Sequence, residues 1–336
     1  MNYRVFDVQM NGNNIRSVTA KHIETGEELV FSAPLFADCT GDGTVGVLAG
    51  ADYSMGRESK AEFGEPTAPD EADKMTMGSS LLWHSVEKDM PSDFPAFDYG
   101  LVFNEESVQK VKRGEWFWEI GMNLNQLTDF EQIRDYGLQV IYSNWSYLKN
   151  RYSEKDKYAN RELEWVAYIA GKRESRRLLG DFILKEQDIT GYVMYPDNAV
   201  PTSWSIDLHY PHKKNSEQFP GREFLSYAVQ QKIYPYPIPY RCFYSRNIDN
   251  LFMAGRNISV THVALGTVRV MRTAGMMGEV VGMAAAICKK NHVKPRGVYE
   301  KHLDELKTCM TKGIGKEGAT PYPEYNLGSI LNERGK

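Results

Sequence analysis

Apolar and polar residues alternate from Val5 to Met10 and again from Ile15 to His22, on either side of Asn11-Gly-Asn-Asn14. A period of two flanking an Asn/Gly turn predicts a hairpin. Glu24-Thr-Gly-Glu27 marks a second turn and Leu29 to Phe31 a third strand, giving a β-meander. The run Leu35-Phe-Ala-Asp-Cys-Thr-Gly-Asp-Gly43 then reads as a buried strand entering a glycine turn, with a short small-residue helix from Thr44 to Ala51. Leu251 to Ala254 is a second short apolar run, expected to be a buried strand ended by Gly255. From Thr273, a good N-cap residue, to about Lys290 the pattern is helical. Gly275, Gly278, Gly282 and Ala284 to Ala286 leave that helix a nearly bare face. Helix-interior glycine costs about 1 kcal/mol against alanine, so several together need a reason. Close packing on a sheet is one; contact of the helix start with a large flat ligand is another.

Between these outer segments the pattern changes. Residues 56 to 75 are charged, with Pro66 and Pro69, and read as a surface connection. Met77 to Val86 and Leu163 to Ala170 are expected strands. Thr128-Asp-Phe-Glu131 is a capping-box pattern, followed by Phe130, Ile133, Val140, Ile141, Trp145 and Leu148 at helical spacing to about Arg151. Ser203 to Pro211 alternates as a strand, with His209 near its end. Pro235, Pro237 and Pro239 form an extended return path. All six tryptophans lie between Trp83 and Trp204, which suggests an inserted domain at about 57 to 240. Beyond Val293 a helix is expected from Tyr299 to Met310, then a polar tail.

Composition narrows the class. The 336 residues are 42% hydrophobic and 25% charged, with a net charge of -4. That balance fits a globular protein and argues against nucleic-acid binding. No stretch reads as a membrane span or a signal peptide. Cys39, Cys242, Cys288 and Cys309 form no CxxC pair, so no metal or iron–sulfur site is expected. Cys39 and Cys288 sit in apolar context and are expected to be buried thiols. No GxSxG elbow or HExxH motif occurs, and the chain does not open on a GxGxxG fingerprint.

Asn-Leu-Phe-Met-Ala254-Gly255-Arg256, His262-Val-Ala-Leu-Gly-Thr-Val-Arg269 and the glycine-rich helix after them resemble the flavin-contacting C-terminal segment of FAD-dependent oxidoreductases of the glutathione-reductase type. The likeness is closest to a bacterial family distantly related to the heterodisulfide reductase A subunit. It extends to Ala37-Asp-Cys-Thr-Gly-Asp-Gly43, to Gly171-Lys-Arg-Glu-Ser-Arg-Arg177 with Gly180-Asp181, and to Ser203-Trp-Ser-Ile-Asp-Leu-His209. The set spans roughly residues 30 to 290.

The resemblance implies an α/β fold: a partial FAD/NAD(P)-binding three-layer domain from 1–56 and 241–292, an inserted α+β substrate (cap) domain at 57–240, and a C-terminal helix and tail at 293–336. Because the chain opens on a meander rather than on the strand, GxGxxG and helix usual for this class, it reads as the C-terminal part of a longer flavoprotein. FAD is the implied cofactor, with contacts at Gly41, Asp42, Gly43, Gly255, Arg256, Asn257, Ser259, Thr273 and Gly275. From the residues alone, the Gly41–Gly43 turn equally fits a tight strand-to-helix turn without a ligand.

The implied activity passes hydride between a small-molecule substrate and flavin. His262 is the first acid/base candidate, because imidazole titrates near neutrality; a loop-positioning role is its alternative. Arg269 can stabilise developing charge, and His209 and Arg173 are candidates from the insert. Arg173 and Arg176 can equally serve as partners of nearby acids. Two rival readings are a non-catalytic sugar- or polyol-binding module and an inactive flavoprotein fragment. Substrate, electron acceptor, compartment and oligomeric state stay open.

Overall fold

The computed structural model describes residues 2–313; the expected polar tail lies outside them. Helices and strands are mixed, with the strands in several small sheets. The chain forms two compact units. Of the described residues, the larger takes those up to Asp73, Ser175–Asp207 and those from Gln230 on; the smaller takes Lys74–Glu174 and Leu208–Val229. Residues 57–73, 175–207 and 230–240, read from the sequence as part of the insert, thus fall in the larger unit.

In the larger unit the meander forms as its alternation implies. Strands Tyr3–Asn11, Asn14–His22 and Glu28–Ser32 pair antiparallel in chain order. Gly12 turns the first hairpin at φ 56°. Ile15, Val18 and Ala20 of the middle strand are buried, while Leu29, Val30 and Phe31 are exposed. Next to the meander lies a parallel pair of strands. Phe36–Asp38 runs beside Leu251–Met253, in the register Leu251↔Phe36, Phe252↔Ala37, Met253↔Asp38. Asn250 joins pair to meander. Its Nδ2 donates to the carbonyls of Ile15 (2.9 Å) and Pro34 (3.2 Å), and its Oδ1 accepts from Ile15 N at 2.8 Å.

Two expectations fail here for one reason. Leu251–Met253 is fully buried, but Phe36–Asp38 is an edge strand of which only Asp38 is inside. Side chains alternate across a strand, so with Asp38 inward Cys39 faces out and is exposed; Cys288 is buried as expected.

The C-terminal part of this unit is helical. His262–Val268 is capped by Thr261, whose hydroxyl accepts from Ala264 N at 3.2 Å. The chain then bends by 91° into Met271–Asn291. Pro295–Lys301 and Leu303–Lys312 follow, two helices where the sequence suggested one. Among the described residues, no single helix is long and apolar enough to cross a membrane.

The smaller unit is built around tryptophan. Trp83–Glu87 pairs with Arg113–Gly114 and Arg161–Val166, and Ser79–Ser80 with Glu119–Ile120 and Gly171–Lys172. The expected Met77–Val86 strand is therefore two short strands in different sheets, interrupted at Leu81 and Leu82. Trp83 packs edge-on against Trp118 (5.2 Å) and Trp145 (5.7 Å). Helix Phe130–Asn150 buries Ile133, Val140, Ile141, Trp145 and Leu148 on the same cluster, so its aromatic stripe is core. The capping box does not form. The Asp129 carboxylate accepts from Asn125 N (2.9 Å) and Thr128 Oγ1 (3.1 Å), and the helix starts at Phe130 without a side-chain cap. A local turn has taken the groups the box requires.

Leu148 is 0% exposed in this cluster. Leu148→Ala is expected to cost about 2–5 kcal/mol, seen as a lower urea midpoint at unchanged slope.

Candidate functional site

Because Phe36–Asp38 and Leu251–Met253 are parallel, the glycine turns that follow them emerge at the same end, where α/β sheets place ligands. Gly41, Gly43 and Gly255 have φ of 71°, 63° and 110°, values that disfavour other residues. Buried Asp38 shapes the first turn: its carboxylate accepts from Thr40 N (3.0 Å), Thr40 Oγ1 (2.7 Å) and Gly46 N (2.9 Å). Its carbonyl accepts from Asn257 Nδ2 at 3.1 Å, tying the second turn to the first.

Arg256 reaches back over Gly41, where a Cβ would stand 2.2 Å from its Nη1. It pairs with Asp42 at 2.6 Å, and Asp42 also accepts from Ser175 Oγ (2.7 Å) and, at its carbonyl, from Arg176 Nε (2.9 Å). Gly41, Asp42, Gly43, Gly255, Arg256 and Asn257 are thus brought together. Ser259 is held elsewhere, its backbone bonded to Cys242 and Leu184. Arg256 Nε and Asn257 Oδ1 are buried without a hydrogen-bond partner, and Asn257 Oδ1 is the nearest atom, at 3.3 Å, to a Cβ built on Gly255. A donor and an acceptor left over at a bare turn fit a ligand carrying both functions.

The long helix Met271–Asn291 starts two residues before Thr273, with Val270 as N-cap. Valine has no polar side chain, so no side chain caps this helix. Thr273 lies in the first turn, where its hydroxyl donates to Thr202 Oγ1 at 3.0 Å. This start opens on a cavity of about 770 Å³ lined by Pro201, Trp204, Pro235, Arg269, Arg272, Thr273 and Met276, among others. Arg269 is fixed at its rim by Asp207, through the carboxylate (3.0 Å) and the carbonyl (3.1 Å). Gly255 N donates to Met277 Sδ at 3.4 Å, and Met276 lines the cavity. Glycine turn and cavity therefore meet the same helix at adjacent residues. Gly275 lies on the exposed side of the helix with no atom within 4 Å of a built Cβ.

His262 is not among the residues lining this cavity. It opens the His262–Val268 helix, 2% exposed, and its amide donates to Glu58 Oε2 at 2.9 Å. Glu58 also pairs with buried Arg177 at 2.7 Å. Thr261 Oγ1 donates to Glu65 Oε1 at 2.6 Å, as does Glu186 N at 2.8 Å. Glu65 Oε2 has no partner, and burial raises the pKa of this carboxyl.

The smaller unit brings His209 and Arg173 together through a residue the sequence reading passed over. Glu119 is 2% exposed; its Oε2 accepts from His209 Nδ1 (2.6 Å) and Ser226 Oγ (2.7 Å), and its Oε1 from Gly78 N (2.7 Å). Arg173 Nη1 lies 3.4 Å from Oε1. Burial pushes Glu119 towards protonation, but the bond to His209 and the charge of Arg173 outweigh it, and its pKa is lowered. The available signal was an acid inside the aromatic run Trp116-Phe-Trp-Glu-Ile120, because a carboxylate there must find partners.

Glu65 generates a pH test. Its raised folded pKa means that its stabilising contribution is present below the ordinary value of 4.5 and is lost as pH rises through the raised value. Glu65→Gln removes the titration but keeps an oxygen for Thr261. Wild type is expected to lose stability relative to Glu65→Gln as pH rises from acid to neutral, read by chemical denaturation; a constant difference would count against it.

A family model described as FAD dependent oxidoreductase matches residues 1–310. No curated protein and no solved structure matches the chain. Glycine turns bearing arginine, beside an uncapped helix start at a large cavity, suit a dinucleotide with a flat, electron-poor ring. The chain belongs to the FAD-dependent oxidoreductase family, and FAD is its cofactor.

Proposed function

We propose that the chain passes hydride between a small-molecule substrate and FAD, with the flavin ring in the cavity at the start of Met271–Asn291. The observation that carries this placement is the shared helix: its uncapped first turn faces the cavity, and one residue past the cavity wall it contacts the Gly255 turn. Bound flavin supplies two-electron redox chemistry; the protein supplies position, charge and protons. Trp204, Pro201 and Pro235 offer apolar walls, while Arg269, Arg272 and the helix dipole favour negative charge on the ring. Arg256, Arg176 and the glycine turns suit the phosphate and ribityl portion.

The parallel pair, the meander and the long helix would then belong to a three-layer FAD/NAD(P)-binding domain of the glutathione-reductase type. The smaller unit would be the substrate (cap) domain, with His209 and Arg173 as its own candidate residues. His262, held by Glu58, fits a positioning role as well as an acid/base one. A hydroxyl-rich, sugar-like substrate is supported by Trp116 and Trp165 of the smaller unit, which are 43% and 46% exposed beside polar partners.

The test is an FAD titration followed by flavin fluorescence. Wild type is expected to saturate, and Gly255→Val and Trp204→Ala to bind at least about tenfold more weakly, a loss of about 1.4 kcal/mol. Trp165→Ala should bind as wild type does. Equal binding by all four proteins would overturn the placement. Bleaching of the bound flavin by polyols or hydroxy acids without oxygen would then identify the substrate class.

A further inference from the structure

One sheet of the smaller unit buries tryptophan on its inner face and presents another on its outer face. Trp83 is inward and fills the space over Gly114, the residue opposite it. Side chains alternate along a strand, so His84 points outward. Residues directly opposite one another on paired strands share a face. Trp165 lies opposite His84 and His84 opposite Arg113, so these three form one row across three strands. The row spans two strand spacings, about 10 Å, the reach of a disaccharide. A bulge shapes one end of it. Strand Arg161–Val166 carries one extra residue between Leu163 and Trp165, which leaves Glu164 and Trp165 both exposed. Bulges re-aim side chains in this way, often at functional sites. Glu164 then hydrogen-bonds His84 Nε2 at 2.9 Å, and the Trp165 indole stacks on the same imidazole, 5.6 Å between centroids at 27°. With one side of the indole on His84 and the residue 46% exposed, its remaining surface is open to solvent.

Beside the row, His84, Lys112, Arg113, Glu115 and Arg161 line an open cavity of about 790 Å³. Its charges cancel. Arg113 pairs with Glu115 at 2.6 Å and Arg161 with Glu87 at 2.5 Å, and Lys112 and Glu164 complete three cations against three carboxylates. A phosphate or carboxylate would meet an acid beside either guanidinium. A hydroxyl both donates and accepts, so it suits paired charges. A pyranose ring carries hydroxyls around its rim and C–H groups on its faces, and an exposed indole offers the flat apolar surface such a face needs.

We propose that this row is a binding site for a neutral saccharide, with one sugar ring against Trp165 and hydroxyls on the His84–Glu164 and Arg113–Glu115 pairs. It takes up the sugar preference of the reading above and none of its redox chemistry. Every group it uses belongs to the smaller unit, and none is asked to reach the flavin.

The test is saturation-transfer NMR of the full chain, with FAD present, against cellobiose, maltose and mannobiose, and against glucuronate and inorganic phosphate as anionic probes. Wild type is expected to bind at least one of the three disaccharides with a Kd of about 1 mM or below. Trp165→Ala should weaken that binding at least about tenfold, as should Arg113→Ala at the other end of the row. Trp204→Ala, in the larger unit, should leave it unchanged. If Trp165→Ala does not fold, Arg113→Ala, whose side chain is 72% exposed, decides. The proposal is overturned if no disaccharide binds below about 10 mM. Wild-type affinity in Trp165→Ala overturns it too, as does loss of binding in Trp204→Ala or tighter binding of either anion. The two readings fail separately. A chain that binds these sugars but never FAD sinks the oxidoreductase reading and leaves this site; one that binds FAD but no sugar sinks this site alone.

Discussion

Asp38 is the constraint on which the larger unit depends. A carboxylate at 0% exposure is tolerable only when its lone pairs are met, and three donors from Thr40 and Gly46 meet them. Meeting them bends the chain through Gly41 and Gly43 and starts the Thr44–Leu48 helix. The carbonyl of the same residue accepts from Ala254 N and Asn257 Nδ2, so the turn after the second strand is shaped by the first. Residues more than two hundred positions apart thus share one turn geometry.

Charge is managed in the same way elsewhere. Arg177 is fully buried, yet it bonds Glu58 and the carbonyls of Gly56 and Val260. Buried pairs of this kind add little net stability, but removing one partner is costly, so they specify a single arrangement. Here they fix the start of the His262 helix through the hydrogen bond that the His262 amide donates to Glu58. In the smaller unit Glu119 does the same for an imidazole. Both units therefore place a histidine by means of a buried glutamate.

What could be read from the sequence was local. The Asn11–Asn14 hairpin, the strand Leu251–Met253 and the amphipathic helix to Asn150 each follow from a period and a turn within a dozen or so residues. The two glycine turns were legible because their backbone conformation demands glycine. Three things were not. Thr273 looked like a cap, but its hydroxyl had a tertiary partner in Thr202. Thr128 and Glu131 looked like a capping box, but the turn at Asn125 competed for Asp129. Glu58, Glu65 and Glu119 carry no motif, since their importance comes from burial and from partners distant in the chain. Single-sequence periodicity contains neither.

The bare face of Met271–Asn291 has a consequence for how the protein holds its cofactor. Gly275, Gly278 and Gly282 have no atom within 4 Å of a built Cβ and gain nothing from packing there. The helix is kept in register from its other side by Met277, Val280, Val281, Ala284, Ile287 and Cys288. Its intrinsic helicity is lowered by each glycine, so its first turn leans on Thr273, which is buried and bonded to Thr202. A ligand that binds only the formed turn stabilises the helix by an amount that grows with the logarithm of its concentration over Kd. With the flavin placed there as proposed, FAD would be a folding partner of this helix, and amide-exchange protection of its first turns would gauge cofactor occupancy.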